Sequence, residues 1–358
     1  MKRRYNIQIT ISVFTIVFLF SISQQVKAQY NQLSLNDTVS SEYEYILPFL
    51  GDKVYEKGVA LPLPWGIMVN YFYGVQGIDI PQLEIGFSKR QDDFNYHDIT
   101  RLVDFEHVKA SGVSLNIRPD VWLLPFYNVY GIIGKTWTET DVQLSYPINL
   151  HANVKLTGYS YGVGNTIAFG VGPVFAVLDG NLVWTKLEGF KEPVRTFVFS
   201  PRIGHIIDLK TKNKRLSNIG VWIGAMRLGM NGITEGSIPL RDVFPDEFWD
   251  NKDQKVAEYY EWYDGLDPMD PKKIIAENVF NPIMDNIDKA NGDGNIGYKL
   301  YKEPKQKWNF LIGAQYQYNP HWQLRAEVGL LADRKSALLS INYRFGIHNR
   351  TYLQSIAK

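Results

Sequence analysis

The chain has 358 residues, 38 Lys and Arg against 37 Asp and Glu, a net charge of +1, and no cysteine. This excludes a disulfide framework, a thiolate metal site and a cysteine nucleophile, and neither a cofactor nor a nucleic-acid partner is expected. Aromatic residues reach 14%, with 22 Tyr and 9 Trp, high for a soluble protein and typical of strands that cross a membrane interface.

Lys2, Arg3 and Arg4 precede an apolar run from Ile9 to Ile22 and a small-residue site at Val26-Lys27-Ala28, the pattern of a secretory signal. The run is shorter than the roughly 20 residues a spanning helix needs. Residues 1–28 are therefore expected to be cleaved, leaving 29–42 as a periplasmic segment.

Strand candidates follow at 43–50, 65–74, 80–88, 106–118 and 121–136. Residues 157–171 then separate by parity: Tyr159, Tyr161, Val163, Ile167 and Phe169 alternate with Gly158, Ser160, Gly162, Gly164, Ala168 and Gly170. Period two is the mark of a strand with one bulky and one small face. Candidates 154–170, 172–187, 194–208 and 217–229 lead to an insertion, 231–305, that holds 9 basic and 16 acidic residues. Within it Val256, Tyr259, Tyr260 and Tyr263 have helical spacing, and Asp270-Pro271 and Asn281-Pro282 read as helix starts. The turn 289–300 carries only part of a calcium-loop pattern, lacking both end ligands, and no metal is expected there.

The last candidates, 306–318, 321–331 and 336–346, alternate most clearly. Trp322, Leu324, Ala326, Val328 and Leu330 oppose Gln323, Arg325, Glu327 and Gly329. Apolar faces that end in aromatics, with a polar and glycine-rich opposite face, describe a barrel whose outside meets lipid. Only a closed barrel satisfies strand backbone groups there. The expected fold is an all-β transmembrane antiparallel barrel over 43–347, of twelve strands within a range of ten to fourteen, followed by a tail at 348–358. An even count puts both ends in the periplasm. Arg118-Pro119-Asp120, Gly170-Val171-Gly172 and Asn319-Pro320 then become short periplasmic turns, and 231–305 a long, partly helical extracellular loop.

With its signal sequence, its dyad-period strands and the closing strand LLSINYRF ending in Tyr343 and Phe345, the chain resembles Gram-negative outer-membrane β-barrel proteins. The resemblance implies residence in outer-membrane lipid and insertion by the barrel assembly machinery. The chain runs past Phe345, where many such proteins stop.

By parity Arg118, Arg202, Arg227, Arg325 and Arg344 are expected inside with Glu84, Asp179 and Glu327, either as a basic constriction or as an ion-pair network. The leading expectation is a passive channel or transporter for small solutes. The alternatives are a non-conducting barrel that displays 231–305 as a platform for an extracellular ligand, and a membrane hydrolase. No catalytic residue is assigned, because the six histidines offer no triad logic.

Overall fold

The structure, a computed structural model, describes residues 43–349 except 58, 60, 90–92, 147–149, 191, 210–216, 231–232, 245 and 291. The expected signal, the 29–42 segment and the tail beyond Asn349 lie outside the described residues.

Ten strands close into an antiparallel barrel: β1 (Trp65–Ser88), β3 (Asp104–Leu124), β4 (Tyr127–Tyr146), β5 (Leu150–Val171), β6 (Val174–Leu187), β7 (Val194–Asp208), β8 (Asn218–Met230), β11 (Trp308–Gln317), β12 (Trp322–Leu331) and β13 (Arg334–Phe345). Neighbours in this series pair in order, and β13 pairs back onto β1 from Trp65↔Phe345 to Val75↔Lys335. Three strands lie outside the closed ring: β2 (His97–Asp98), β9 (Ile233–Pro239) and β10 (Asn295–Pro304).

The expected count of twelve is corrected to ten for two reasons. Candidate 43–50 is not a strand; it makes a single bridge, Tyr45↔His348, and leads into α1 (Gly51–Tyr55). Candidates 65–74 and 80–88 are one strand, because β1 runs unbroken past its bulge between Asp79 and Gln82. The turn expected at 118–120 is also displaced: β3 continues to Leu124, and the chain reverses at Pro125-Phe126.

Polarity in the ring is inverted relative to a water-soluble barrel. On β1 Ile67, Val69, Tyr71 and Tyr73 are exposed, as are Leu324, Val328 and Leu330 on β12 and Leu339, Ile341 and Tyr343 on β13. Their alternating neighbours Asn70, Gln323, Glu327, Ser340, Asn342 and Arg344 are buried. Aromatics gather at both rims: Trp322 packs on Tyr343 with centroids 4.9 Å apart where β12 begins and β13 ends, and Tyr161 stacks on Trp184 at 5.8 Å toward the opposite end. Val328→Arg should therefore destabilise the folded barrel by about 2–4 kcal/mol if the site lies at mid-membrane. Asn342→Arg, facing inward, tests the assignment as its partner. Equal losses in urea unfolding from lipid vesicles would contradict the inside-out arrangement.

The strands β1, β3, β4 and β5 are 20–24 residues long, about twice the 9–11 residues that cross a bilayer. Beyond Gly77, β1 leaves both barrel partners and takes up β10 on one edge (Ile78↔Pro304 to Ser88↔Asn295) and β2 on the other, while β9 pairs with β10. Against this raised sheet pack α2 (Leu240–Val243), α3 (Asp246–Asp250), α4 (Lys252–Asp264), α5 (Pro271–Ile275), a π-helical turn (Ala276–Phe280) and α6 (Asn281–Ala290). Asp270 caps α5 by accepting from the Lys272 amide at 2.9 Å, with Pro271 following it. Tyr259, Leu240, Val279, Met284 and Ile287 form a core with Leu102 and Ile99 from the β1–β3 connection. The insertion is thus a packed domain and not a loose loop.

One polar contact on this domain gives it a pH response. Tyr260 donates to Asp285 at 2.5 Å. Burial, then this bond, pushes the Tyr260 phenol up to about 12, and the same bond holds Asp285 below the usual carboxylate range. A raised phenol stabilises the fold fully below the unfolded value of about 10 and loses that contribution as pH rises. The domain should weaken as pH climbs from there toward about 12. Near-UV circular dichroism should show a shallower alkaline loss for Tyr260→Phe than for the unaltered chain; parallel curves would contradict this.

Candidate functional site

The small inner faces make room for large polar side chains from neighbouring strands. A Cβ at Gly164 would collide with the Tyr130 ring, and one at Gly313 with the Trp222 indole. With glycine in place, the Tyr130 hydroxyl donates to Asp179 at 2.9 Å and the Trp222 indole N–H donates to Glu327 at 2.7 Å.

Three ion pairs join strands across the lumen. Arg202 on β7 grips Glu327 on β12 with both Nε (2.7 Å) and Nη2 (3.0 Å), a two-pronged geometry that fixes both side chains. Arg118 on β3 lies 3.6 Å from Asp179 on β6, with its guanidinium 3.4 Å over the Tyr130 ring. Thr166 completes this group, receiving from Arg118 at 3.2 Å and donating to Asp179 at 2.6 Å. Arg344 on β13 meets Asp120 on β3 at 3.0 Å, and Asn128 donates to Asp120 at 2.7 Å. Arg325 differs: its Nε and Nη2 donate to the Gln315 amide oxygen, at 3.3 and 2.9 Å, and among the described residues it meets no carboxylate.

Arg118, Arg202, Arg325 and Arg344 border one cavity of about 150 Å³ at the end of the barrel where β1 begins and β13 ends. Leu61 and Pro62 form part of its wall. Arg344 fixes the segment that follows, donating to the carbonyls of Leu63 at 2.8 Å and Pro64 at 3.3 Å. The terminal mouth of the lumen is therefore crossed by the chain's own entry segment.

Of the eight residues expected inside, six lie in the lumen: the four arginines and Asp179 on this cavity, and Glu327 joined to it through Arg202 and Trp222. Two do not. Arg227 is exposed on the outer face of β8, in line with Val221 and Ile223 and in register with Phe199 and Trp308. Beside interfacial aromatics an arginine can reach the headgroup layer, so its charge does not require the lumen. Glu84 sits on the raised part of β1, beyond Gly77, opposite Lys299 and Asp98 and accepting from Gln82 at 2.8 Å. It belongs to the sheet above the barrel. Sequence reading missed Asp120, Tyr130, Thr166 and Trp222. Asp120 was findable, since it is two residues from Arg118 and shares its face.

His205, on β7, lies on the outer surface beside Ile203 and Val221. The His321 ring, just before β12, bonds the Arg344 carbonyl at 2.8 Å and stacks on Tyr343, and His107, on β3, meets Asp141 at 2.5 Å.

No family model matches the chain, and no curated protein matches it. Among solved structures it is similar to outer-membrane barrels. The outer membrane protein OprG from Pseudomonas aeruginosa aligns at 9% identity over 80% of this chain and 99% of that one, TM-score 0.37. The beta domain of the Bordetella autotransporter BrkA aligns at 8% over 79% and 100%, TM-score 0.35, and the transport unit of the autotransporter AIDA-I from Escherichia coli at 11% over 79% and 90%, TM-score 0.34.

Proposed function

We propose that the chain is an outer-membrane barrel whose braced lumen is closed to solute flow, and whose task is to hold the domain between β8 and β11 at the cell surface as a binding module. The observation that carries this reading is the bracing: ion pairs bridge β3 to β6, β7 to β12 and β13 to β3, and Leu61 and Pro62 of the entry segment wall the cavity beside them. An inverted barrel needs lipid around it, and an even strand number returns both chain ends to the periplasm. The raised domain then faces outward with the excess of acidic over basic residues carried by 231–305.

The channel reading retains one supporting observation, the polar lumen. It requires the Arg202–Glu327 pair and the entry segment to move aside together. Orientation is tested by a protease site placed after Gly265, at the end of α4. Cleavage on intact cells is the expected result. Protection there, with cleavage of a site at Asn319, would reverse the barrel in the membrane and remove the platform reading.

A further inference from the structure

Strand positions that face lipid are expected to be apolar, because hydrocarbon offers a polar side chain no hydrogen-bond partner. Asn165 breaks this rule. It is exposed on the outer face of β5 between Val163 and Ile167, and among the described residues its amide makes no hydrogen bond. Six residues separate it from Val171 at the end of β5, a climb of roughly 15 Å at the usual strand rise and tilt, well inside an apolar band about 25 Å tall. His205 and Arg227, also on the outside, instead lie level with strand ends, opposite Val174 and Trp308. The cross-strand partner of Asn165 on β6 is Gly180. A Cβ there would meet nothing within 4 Å, and the backbone has no positive φ that would call for glycine. Gly164 and Gly313 make room for Tyr130 and Trp222; Gly180 makes room for nothing inside the molecule. Gly131 on β4 is similar, its nearest neighbour being Pro119 Cγ at 3.8 Å. Asn165, Gly180 and Gly131 line one depression of about 1000 Å³ in the outer wall, together with Tyr127, Leu182 and Phe197. A strand glycine without an internal use marks the close approach of another chain.

We propose that this wall is an interface with a second copy of the chain, packed on β4–β6 about a two-fold axis normal to the membrane, with the two Asn165 amides bonded to each other. Copies inserted in one orientation hold each residue at the same depth, so an axis of that direction brings Asn165 to Asn165 on one level. An amide carries both donors and an acceptor, which makes the pair self-complementary. Acyl chains offer neither. The bare backbone at Gly180 and Gly131 lets the two walls approach closely enough for short side chains to meet. The interface rests on the inverted barrel alone and stands whether or not the raised domain binds a partner.

The chain has no cysteine, so Asn165→Cys introduces a single thiol. Oxidation of membranes that hold this variant, or treatment with a short bis-maleimide, should give a species of twice the chain's mass. Val328→Cys, at an exposed outer position on β12, should stay at the mass of one chain. In sedimentation of the purified full chain in detergent, Asn165→Leu should weaken the dimer roughly tenfold, the size of one hydrogen bond between chains in a membrane, and Asn165→Gln should weaken it less. Gly180→Leu should also weaken it while the heat-modified electrophoretic shift remains, which separates a lost interface from a lost fold. The proposal is overturned by a cross-link to a different polypeptide, by Val328→Cys cross-linking as well as Asn165→Cys, by an unaltered chain that sediments as a monomer, or by Asn165→Leu and Gly180→Leu dimerising as tightly as the unaltered chain.

Discussion

Arg202→Met should destabilise the barrel by roughly 3–5 kcal/mol, because it leaves the Glu327 carboxylate buried without its cation. Both side chains are nearly enclosed, at 12% and 6% exposure, so water cannot take over the role of the guanidinium. Adding Glu327→Gln should recover most of the loss. The amide is neutral, and its oxygen still accepts from Trp222, which lies 2.7 Å from the carboxylate in the unaltered protein. Urea unfolding from lipid vesicles gives the comparison. A double variant as unstable as Arg202→Met alone would mean that the pair does not brace β7 to β12.

The second large effect belongs to the raised domain. Tyr259 is 1% exposed, its ring packs against Tyr260 at 5.3 Å and Trp262 at 5.4 Å, and its hydroxyl donates to Asn281 at 2.7 Å. Tyr259→Ala should cost the domain about 3–5 kcal/mol, the usual range for removing a buried aromatic. The barrel below should persist, since the core around Tyr259 and the lumen network share no residue. Limited proteolysis should then cut within 240–290 while the heat-modified electrophoretic shift remains. Joint loss of both signals would show one cooperative unit instead of a module carried on a barrel.

Much of the barrel was legible because lipid leaves a period-two record: Leu324, Val328 and Ile341 cannot exchange faces with Gln323, Glu327 and Asn342 without burying charge in hydrocarbon. The record fades wherever strands leave the bilayer. On the raised half of β1 both faces are covered or wet, so alternation no longer reports a lumen, and Glu84 was assigned to the wrong compartment. Residues 75–79 looked like a break between two strands, whereas β1 runs through them, changes partners after Gly77 and takes its bulge between Asp79 and Gln82. Arg227 was misplaced for a related reason: β8 carries Trp222 and Met226 inside, so both its faces are apolar and a charge near its end could be assigned to either. Pairing across the lumen depends on which strands face each other around the ring, and no local pattern encodes the meeting of residues 202 and 327.

Single-channel recording of the purified full chain in planar bilayers tests the closed lumen most directly. A silent membrane is expected for the unaltered protein, with current steps only after the bracing and the hold on the entry segment are both released, as in Arg202→Met with Arg344→Gln. Regular unitary steps from the unaltered chain, shifted toward cations by Arg325→Gln, would contradict it and restore the channel.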